Sequence, residues 1–593
     1  MRDLNNITAG WAVALATAAP TLLAFNLAPS PTLLNQCVAI GLWGGAVAAF
    51  GLTSVTVTAG TGRADTRWLQ AALAATLLLV LLEAARKLPF GIACGAAATL
   101  WTTIVVVEAG AESARSGQLR LIEALAMALL LAGVLSAIVG CVQVFAPDWP
   151  DGEVIARSGM PGRAVGNLRQ PNHLSSLLLW AVIALVALFE LRRVAGVATW
   201  ALGSLLLFAL VLTGSRTGML GMVVLAAWGS LDRQLSRRAR LALIVSPVVY
   251  AAIWLGVSAF GHATGHIIGG EGRLSLGGDG DISSSRFAIW SNTLTMIARE
   301  PLAGVGFGEF NLAWTLSEFP HRPTAFFDHA HNLPLHLWVE LGVPMGSLVF
   351  VLLLASLFQA WRRAWHCEGA QGVAKRAAFM LVLMIGLHSL LEYPLWYAYF
   401  LLPAAFAWGF ALAVPGGALG EGAAAAPTNA SGAPRSNRTL ALAGIAMTVG
   451  AAAAVLDYWR VVVIYDPPER AAPLEERIER GQRSPLFGHH ADYAAATAFG
   501  EPKAPLSPSQ VLAFKRAPHQ LLDVRLMIAW SQALAAQGEM DKARWLAARI
   551  REFRNPGADE YFAPCQLPEQ AAQAFQCQPP QRVVGWREFT QQP

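Results

Sequence analysis

The run Asp328-His-Ala-His-Asn-Leu-Pro-Leu335 sets two imidazoles and a carboxylate directly before an apolar stretch. Pro334 suits the first turn of a helix, so His331 and Asn332 fall just ahead of a helix N-terminus. Partial positive charge at that end disfavours imidazolium, which keeps a histidine neutral near pH 7 and fit to act as a base. The bland alternative is a histidine that caps or hydrogen-bonds the helix start. Four other groups carry polar or cationic side chains. One is Arg163-Ala-Val-Gly-Asn-Leu-Arg-Gln-Pro-Asn-His173, with Asn172 or His173 available as a helix cap, and another is Arg216 in the turn Thr213-Gly-Ser-Arg-Thr-Gly218. The others are Ser285-Arg286-Phe-Ala-Ile-Trp290 and Glu392-Tyr-Pro-Leu-Trp-Tyr397. Arginine's planar fork matches phosphate oxygens, so arginines beside a neutral imidazole suit chemistry on an anionic ligand. Asp279 and Asp281 have the spacing of a metal-holding carboxylate pair, and His329 and His331 alternate as ligands could. The glycine-rich surroundings make the acidic pair read as a solvated turn.

The elements that position these groups must live in lipid. Of 593 residues, 55% are apolar and 14% are charged, against about 25% charged in a soluble domain. Apolar stretches of spanning length number about thirteen, near 9–27, 32–53, 68–86, 90–108, 121–145, 173–190, 195–213, 217–231, 241–260, 336–360, 377–392, 395–414 and 439–457. The chain therefore reads as an all-α polytopic integral membrane protein, its first span an anchored helix and not a cleaved signal. A net charge of +5 without a basic cluster gives no reason to expect nucleic acid as a partner. Six cysteines without a Cys-x-x-Cys spacing give no reason to expect a structural zinc site.

With the N-terminus inside, the inner connections carry Arg63 and Arg67, Arg115 and Arg120, Arg192 and Arg193. They continue with Arg233, Arg237, Arg238 and Arg240, then Arg362, Arg363, Lys375 and Arg376, then Arg435 and Arg438. This alternation follows the positive-inside rule and places residues 458–593 outside, which in a bacterium is the periplasm. The exceptions are Arg157, Arg163 and Arg169 in the outer loop 146–172, Arg216, and Arg273, Arg286, Arg299 and Arg322 in the outer segment at about 261–335. Snorkelling toward lipid phosphate is one reading of such arginines, and a cluster for an anionic ligand is the other.

Two domains are expected, 1–457 in the membrane with the large loop at about 261–335, and 458–593 as a small α-helical exterior domain. The Gly/Ser-rich stretch 269–285 reads as a mobile loop, and Phe287, Trp290, Leu294 and Ile297 give Ser285–Arg299 the spacing of an interfacial amphipathic helix. Such a loop and helix could gate a cleft. Residues 415–438 read as a linker. Residues 523–553 fit two helices joined near Gln537-Gly538-Glu539, with Ala533, Ala536 and Ala543 on the packing side of a tetratricopeptide-like hairpin. Cys565 and Cys577 are candidates for a disulfide in an oxidising compartment, while Cys37, Cys94, Cys141 and Cys367 read as free thiols.

His331, Asn332, nine residues, Gly342, three residues and Gly346 form a pattern that resembles the bacterial O-antigen ligase and polymerase superfamily, and Arg216 with Leu220 matches its companion Arg-x-x-x-Leu. Gly166-Asn-Leu-Arg-Gln-Pro-Asn-His173 and the exterior tail look most like its protein O-oligosaccharyltransferase (PglL-like) branch. The motifs cover roughly residues 120–400. The resemblance implies a GT-C-like enzyme of the inner membrane, N-terminus cytoplasmic and C-terminal domain periplasmic. It implies transfer of a glycan from an undecaprenyl-pyrophosphate donor to a hydroxyl, without metal, nucleotide sugar or other cofactor. The acceptor would be Ser or Thr of a protein such as pilin. His331 would be the base, with Arg216 and, by position, Arg286 on the phosphates. Gln170, Asn172, Asn167, Arg163 and Asn332 would bind substrate, together with Tyr393 or Tyr397.

Fixed guanidinium groups stabilise the charge that grows on a departing pyrophosphate more than that of the bound donor. An O-antigen polymerase or lipid A-core ligase would use the same donor chemistry on another acceptor. A transporter would place its ionisable residues nearer the bilayer midplane, where Glu83, Glu108 and Glu340 are few and have no partner evident in the sequence. A scaffold acting through its exterior tail is the remaining reading.

Overall fold

In the computed structural model of the chain, the described residues are 2–53, 65–86, 88–268, 282–324, 326–414 and 437–590. They contain helices and no strand. The stretch 269–281 with Arg273, Asp279 and Asp281, Arg63, and nearly all of the expected linker 415–438 lie outside the described residues.

In chain order the membrane-type helices are α1 (Arg2–Leu22), α2 (Leu33–Thr53), α3 (Arg67–Arg86), α4 (Phe90–Arg115), α5 (Leu119–Phe145), α6 (Pro171–Glu190), α7 (Gly196–Thr213), α8 (Arg216–Leu231) and α9 (Arg237–Thr264). After α10 (Ile282–Arg299) and the short α11 (Phe310–Leu316) come α12 (Leu333–Trp365), α13 (Gly369–Ser389), α14 (Ala398–Leu412) and α15 (Arg438–Tyr465). Ten of these are long and apolar enough to cross a bilayer, namely α2 to α7, α9, α12, α13 and α15. Helices α1, α8 and α14 lie in the remaining three apolar stretches of the sequence. Lipid offers the backbone no hydrogen bonds, so each such stretch closes its own as helix. The protein is an all-α, multi-pass membrane protein.

The chain divides into two compact units. The first holds residues 1–73, 99–278 and 351–453, and the second 74–98, 279–350 and 454–593. In the first, α6 is the central helix, with 83% of its apolar window buried against α5, α7, α8 and α13. Where α4 and α14 cross, a Cβ added at Gly110 would run into the Phe406 carbonyl and one at Gly409 into that of Val107. Small residues let two helix backbones approach in this way where lipid supplies no hydrophobic drive.

Polar contacts gather at the ends of this unit according to the alternation of its connections. Arg115 pairs with Glu108 at 2.8 Å and Glu112 at 3.3 Å, Arg363 with Asp65 at 3.0 Å, and Arg376 with Asp232 at 2.8 Å. Lys375 donates to the Ala413 carbonyl. All of these basic residues belong to connections of one parity. Glu108 thus has a partner that the sequence did not show.

In the second unit, residues from 289–339 and from the C-terminal helices form one hydrophobic core, in which Phe310, Trp314, Phe327 and Val339 pack with Ile478, Leu526, Leu546 and Phe553. Packing therefore divides the chain along a different line from residue 457. The C-terminal helices are α16 (Leu474–Gln482), α17 (Gly488–Thr497), α18 (Pro508–Arg516), α19 (Val524–Ala536) and α20 (Met540–Phe553). The α19–α20 hairpin buries Ala533 and Ala543, but Ala536 faces solvent because the helix has turned away by its last residue. Cys565 and Cys577 form a disulfide, and the other four cysteines are free. On α10 the buried face runs through Ile289, Thr293, Met296 and Ile297, while Phe287 and Leu294 point outward.

Helix α12 is broken at Gly342, whose φ of +74° and ψ of 160° lie outside the helical region. The segment 301–306 is stitched into the break. Val305 and Gly306 donate to the carbonyls of Val339 (2.8 Å) and Glu340 (3.0 Å), and Val343 donates to that of Pro301 at 2.8 Å. Pro344 has no N–H to satisfy. A Cβ at Gly342 would meet the Leu302 carbonyl. Gly342→Ala combines that clash with left-handed strain and is expected to cost more than about 2 kcal/mol. The check is the melting temperature of the detergent-solubilised protein; an unshifted midpoint would contradict this account of the break.

Candidate functional site

The sequence-predicted residues divide between the units. Arg163, Asn167, Gln170, Asn172, Arg216, Tyr393 and Tyr397 belong to the first, and Arg286, His331 and Asn332 to the second.

In the first unit, Gln143 on α5 accepts from the N–H groups of Val165 and Gly166, and Asn167 accepts from Ala156 N–H while donating to the carbonyls of Leu22 and Val154. These bonds fix the loop that precedes α6. The cap of α6 is Gln170, whose side chain accepts from His173 N–H at 2.9 Å, with Pro171 in the first turn. This corrects the expectation that Asn172 or His173 would cap. Asn172 is thereby freed for another task. It accepts from Ser215 Oγ at 2.7 Å and donates to Glu392 Oε1 at 2.9 Å. One amide thus joins the first turn of α6, the turn before α8 and the segment before α14.

Ser215 caps α8 by accepting from Gly218 N–H at 3.1 Å, after Gly214 has turned the chain at φ +55°. Arg216 follows as the first helical residue and is exposed. A guanidinium at a helix N-terminus adds to the partial positive charge already there, so anions are attracted twice over. Arg163 is buried under this turn, donating from Nε to the Thr213 carbonyl at 2.9 Å and from Nη2 to that of Gly214 at 3.3 Å. Tyr397 packs on the edge of the buried His173 ring (centroids 4.5 Å apart), and Tyr393 stacks on Tyr397 at 6.1 Å. Gln170, Asn172, Arg216, Tyr393 and Tyr397 are thus brought to one end of the unit, while Arg163 and Asn167 brace the loops that carry them.

In the second unit, Asn332 caps α12 by accepting from Leu335 N–H at 3.1 Å, and Pro334 lies in the first turn. His331 immediately precedes the cap with φ +51°, a left-handed conformation that costs a non-glycine residue about 1–3 kcal/mol. Its ring is half-buried and meets Phe327 edge-on, centroids 5.4 Å apart. Trp290 Nε1 donates to the Ala330 carbonyl at 3.1 Å. Arg286 stands one turn before Trp290 on the same face of α10. Asp328 lies 3.0 Å from His329 Nδ1. Partial burial pushes its carboxyl up, but the imidazoles of His329 and His331 outweigh this and hold it at about 2. The carboxylate therefore stays ionised at every pH at which a histidine base would work. Deeper in α12, His336 Nε2 lies 3.5 Å from Glu340, whose carboxylate also accepts from the N–H groups of Gly308 and Phe310.

Several arginines expected on the outer side have a use that neither reading of the sequence foresaw. Arg157 donates to the Pro150 carbonyl, and Arg169 to those of Ala24 and Pro31. Arg322 lies over Trp314, Phe319 and Phe553 and pairs with Glu552 at 2.9 Å. Burial pushes its guanidinium down to about 10 against the pull of Glu552. Sequence reasoning missed Ser215, Glu309, Asn311 and the loop Gly304-Val-Gly-Phe-Gly308, whose three glycines all have positive φ. The glycine spacing was the one signal available.

The fold and these groups define a polytopic α-helical membrane protein with polar loops at its helix ends. Family models agree with the residues that carry the motifs. One described as O-antigen ligase matches residues 201–350, one described as protein glycosylation ligase matches 164–189, and one described as virulence factor membrane-bound polymerase, C-terminal, matches 376–560. The chain is 26% identical over 295 residues to a general O-oligosaccharyltransferase of Acinetobacter baylyi, covering 47% of this chain and 49% of the relative. It is 27% identical over 257 residues to a ComP-specific O-oligosaccharyltransferase of the same organism, covering 43% and 44%. The chain spans about half the length of the curated relatives it matches. It resembles the O-antigen ligase superfamily and, within it, the protein O-oligosaccharyltransferases.

Replacing Asn172 by Ala leaves the Ser215 hydroxyl and Glu392 without that amide. The expected loss is about 1–3 kcal/mol, read as a lower melting temperature; an unchanged melting curve would mean that the three segments are held together by other contacts.

Proposed function

We propose that the chain transfers a glycan from an undecaprenyl-pyrophosphate carrier to a Ser or Thr hydroxyl of a protein acceptor such as pilin. The reaction takes place at the periplasmic face of the bacterial inner membrane. In this reading residues 1–457 are the catalytic membrane domain, the N-terminus is cytoplasmic and the domain from 458 onward is periplasmic. The observation that supports it best is the junction at Asn172, which joins Gln170, Arg216 and the Tyr393–Tyr397 segment at one end of a helical bundle. The names of the two relatives, both O-oligosaccharyltransferases, favour a protein acceptor.

The acceptor oxygen attacks the anomeric carbon as the bond from that carbon to the phosphate oxygen breaks. The hydroxyl proton passes to the neutral imidazole of His331, and undecaprenyl pyrophosphate departs with the bonding electron pair. In-line attack inverts the anomeric carbon. Arg216 and Arg286 stabilise the growing diphosphate charge, and Gln170, Asn172 and Asn332 align the reactants. A base of this kind contributes about 10²–10⁴-fold.

The test incubates membranes bearing the full chain with a fluorescent lipid-linked glycan and either pilin or core lipid A. Glycan on pilin is expected. Glycan on core lipid alone, or lengthening of the lipid-linked glycan itself, would replace this reading with a ligase or polymerase. His331→Ala is expected to lower transfer at least about 10²-fold with donor binding retained, and Arg216→Ala to weaken both. Unaltered product yield from either variant counts against the site.

A further inference from the structure

The segment that carries His331 is held from the C-terminal domain. Asn311, buried in the first turn of α11, donates from Nδ2 to the Phe327 carbonyl at 2.9 Å and accepts on Oδ1 from Leu522 N–H at 2.8 Å. Phe326 stacks on Phe553 of α20, centroids 3.9 Å apart and planes 16° from parallel. Phe327 is the residue whose ring meets His331. Helix α11 is itself clamped from the C-terminal helices, with Glu309 against His519 Nδ1 at 2.8 Å before its start and the Leu316 carbonyl accepting from Trp545 Nε1 at 2.8 Å at its end. On the other side of His329, the Ala330 carbonyl is taken by Trp290. The backbone flanking His329 and leading into His331 is therefore fixed at two carbonyls by side chains of other elements.

We infer that the C-terminal domain is part of the catalytic apparatus, and that Asn311 is the positioning residue through which it sets the His331 loop. The inference rests on the reading of His331 as the base. A domain that served only to capture acceptors would need no buried amide, with both ends bonded, between its own backbone and the loop of the base. A left-handed histidine also requires surroundings that over-determine it, and these contacts supply them. Reach then follows from position: a shift of the loop by about an ångström is enough to cost a transfer reaction about 10²-fold.

The experiment uses the full chain in nanodiscs, with kcat and KM referred to folded protein. Asn311→Asp keeps an acceptor for Leu522 N–H but turns a carboxylate oxygen toward the Phe327 carbonyl. Its kcat is expected to fall by about 10²-fold while KM for donor and acceptor stays within about twofold. Asn311→Ser, which is smaller and neutral, should retain more kcat than the aspartate variant. A rise in acceptor KM with kcat intact would make the domain a docking platform and overturn the inference, as would an unchanged kcat per folded molecule. His331→Ala runs in parallel. Transfer that survives it sinks the base assignment itself, whereas its loss beside a normal Asn311→Asp enzyme sinks only the role of Asn311.

Discussion

A backbone amide or carbonyl removed from water must find a protein partner, and the break in α12 shows what that demands. Interrupting the helix at Gly342 releases carbonyls that the residues four further on would have bonded. Val305 and Gly306 take two of them, Val343 returns a bond to Pro301, and Pro344 brings no donor to place. The spacing between His331 and Gly342 then acquires a physical meaning. It is the length of the first half of α12, from the cap at Asn332 to the point where 301–306 is inserted. Gly346 sits where a side chain would strike the Leu337 carbonyl and the Trp338 ring. The motif thus measures a half-helix with the His331 imidazole at one end and its anchor at the other.

The same need for partners sorts the arginines. Arg157, Arg163, Arg169 and Arg322 occupy carbonyl oxygens or a carboxylate of the protein and so hold loops in place. Arg216 differs in its setting, being exposed at the head of a helix whose peptide dipoles share its sign. In the proposed reaction, positive charge of this kind would act on the departing diphosphate, which is where electrostatic catalysis gains most. Counting cations outside the expected side of a membrane therefore overstates a ligand site, and the surroundings of each decide its role.

The helices were legible because lipid leaves an apolar stretch one solution, and all thirteen apolar stretches are helical. Pro334 correctly marked the start of α12, since its fixed φ and missing N–H suit a first turn. Pairings across long separations were not legible. Asn172 meets Glu392 across 220 positions, and no local pattern announces that. The cap of α6 was misplaced because Asn172 is the better capping type, yet Pro171 settles into the first turn and leaves the cap to Gln170. The outward turn of Ala536, and the burial of Ile289 and Met296 on α10 with Leu294 left outside, depend on neighbours that periodicity does not name.

The line between domains was the least legible feature, for a reason of packing. The sequence changes from apolar to charged near residue 458, and solvent does select composition in that way. Cohesion follows contacts instead, and Phe310, Trp314 and Phe327 complete a core with Leu526, Leu546 and Phe553. Neither segment could close that core alone, because a cluster missing one wall leaves its remaining aromatics in water. The segment before the imidazole therefore packs on the C-terminal helices. Composition reports the solvent that each residue meets, whereas the shared core determines which residues pack together, and the left-handed conformation of His331 depends on the second.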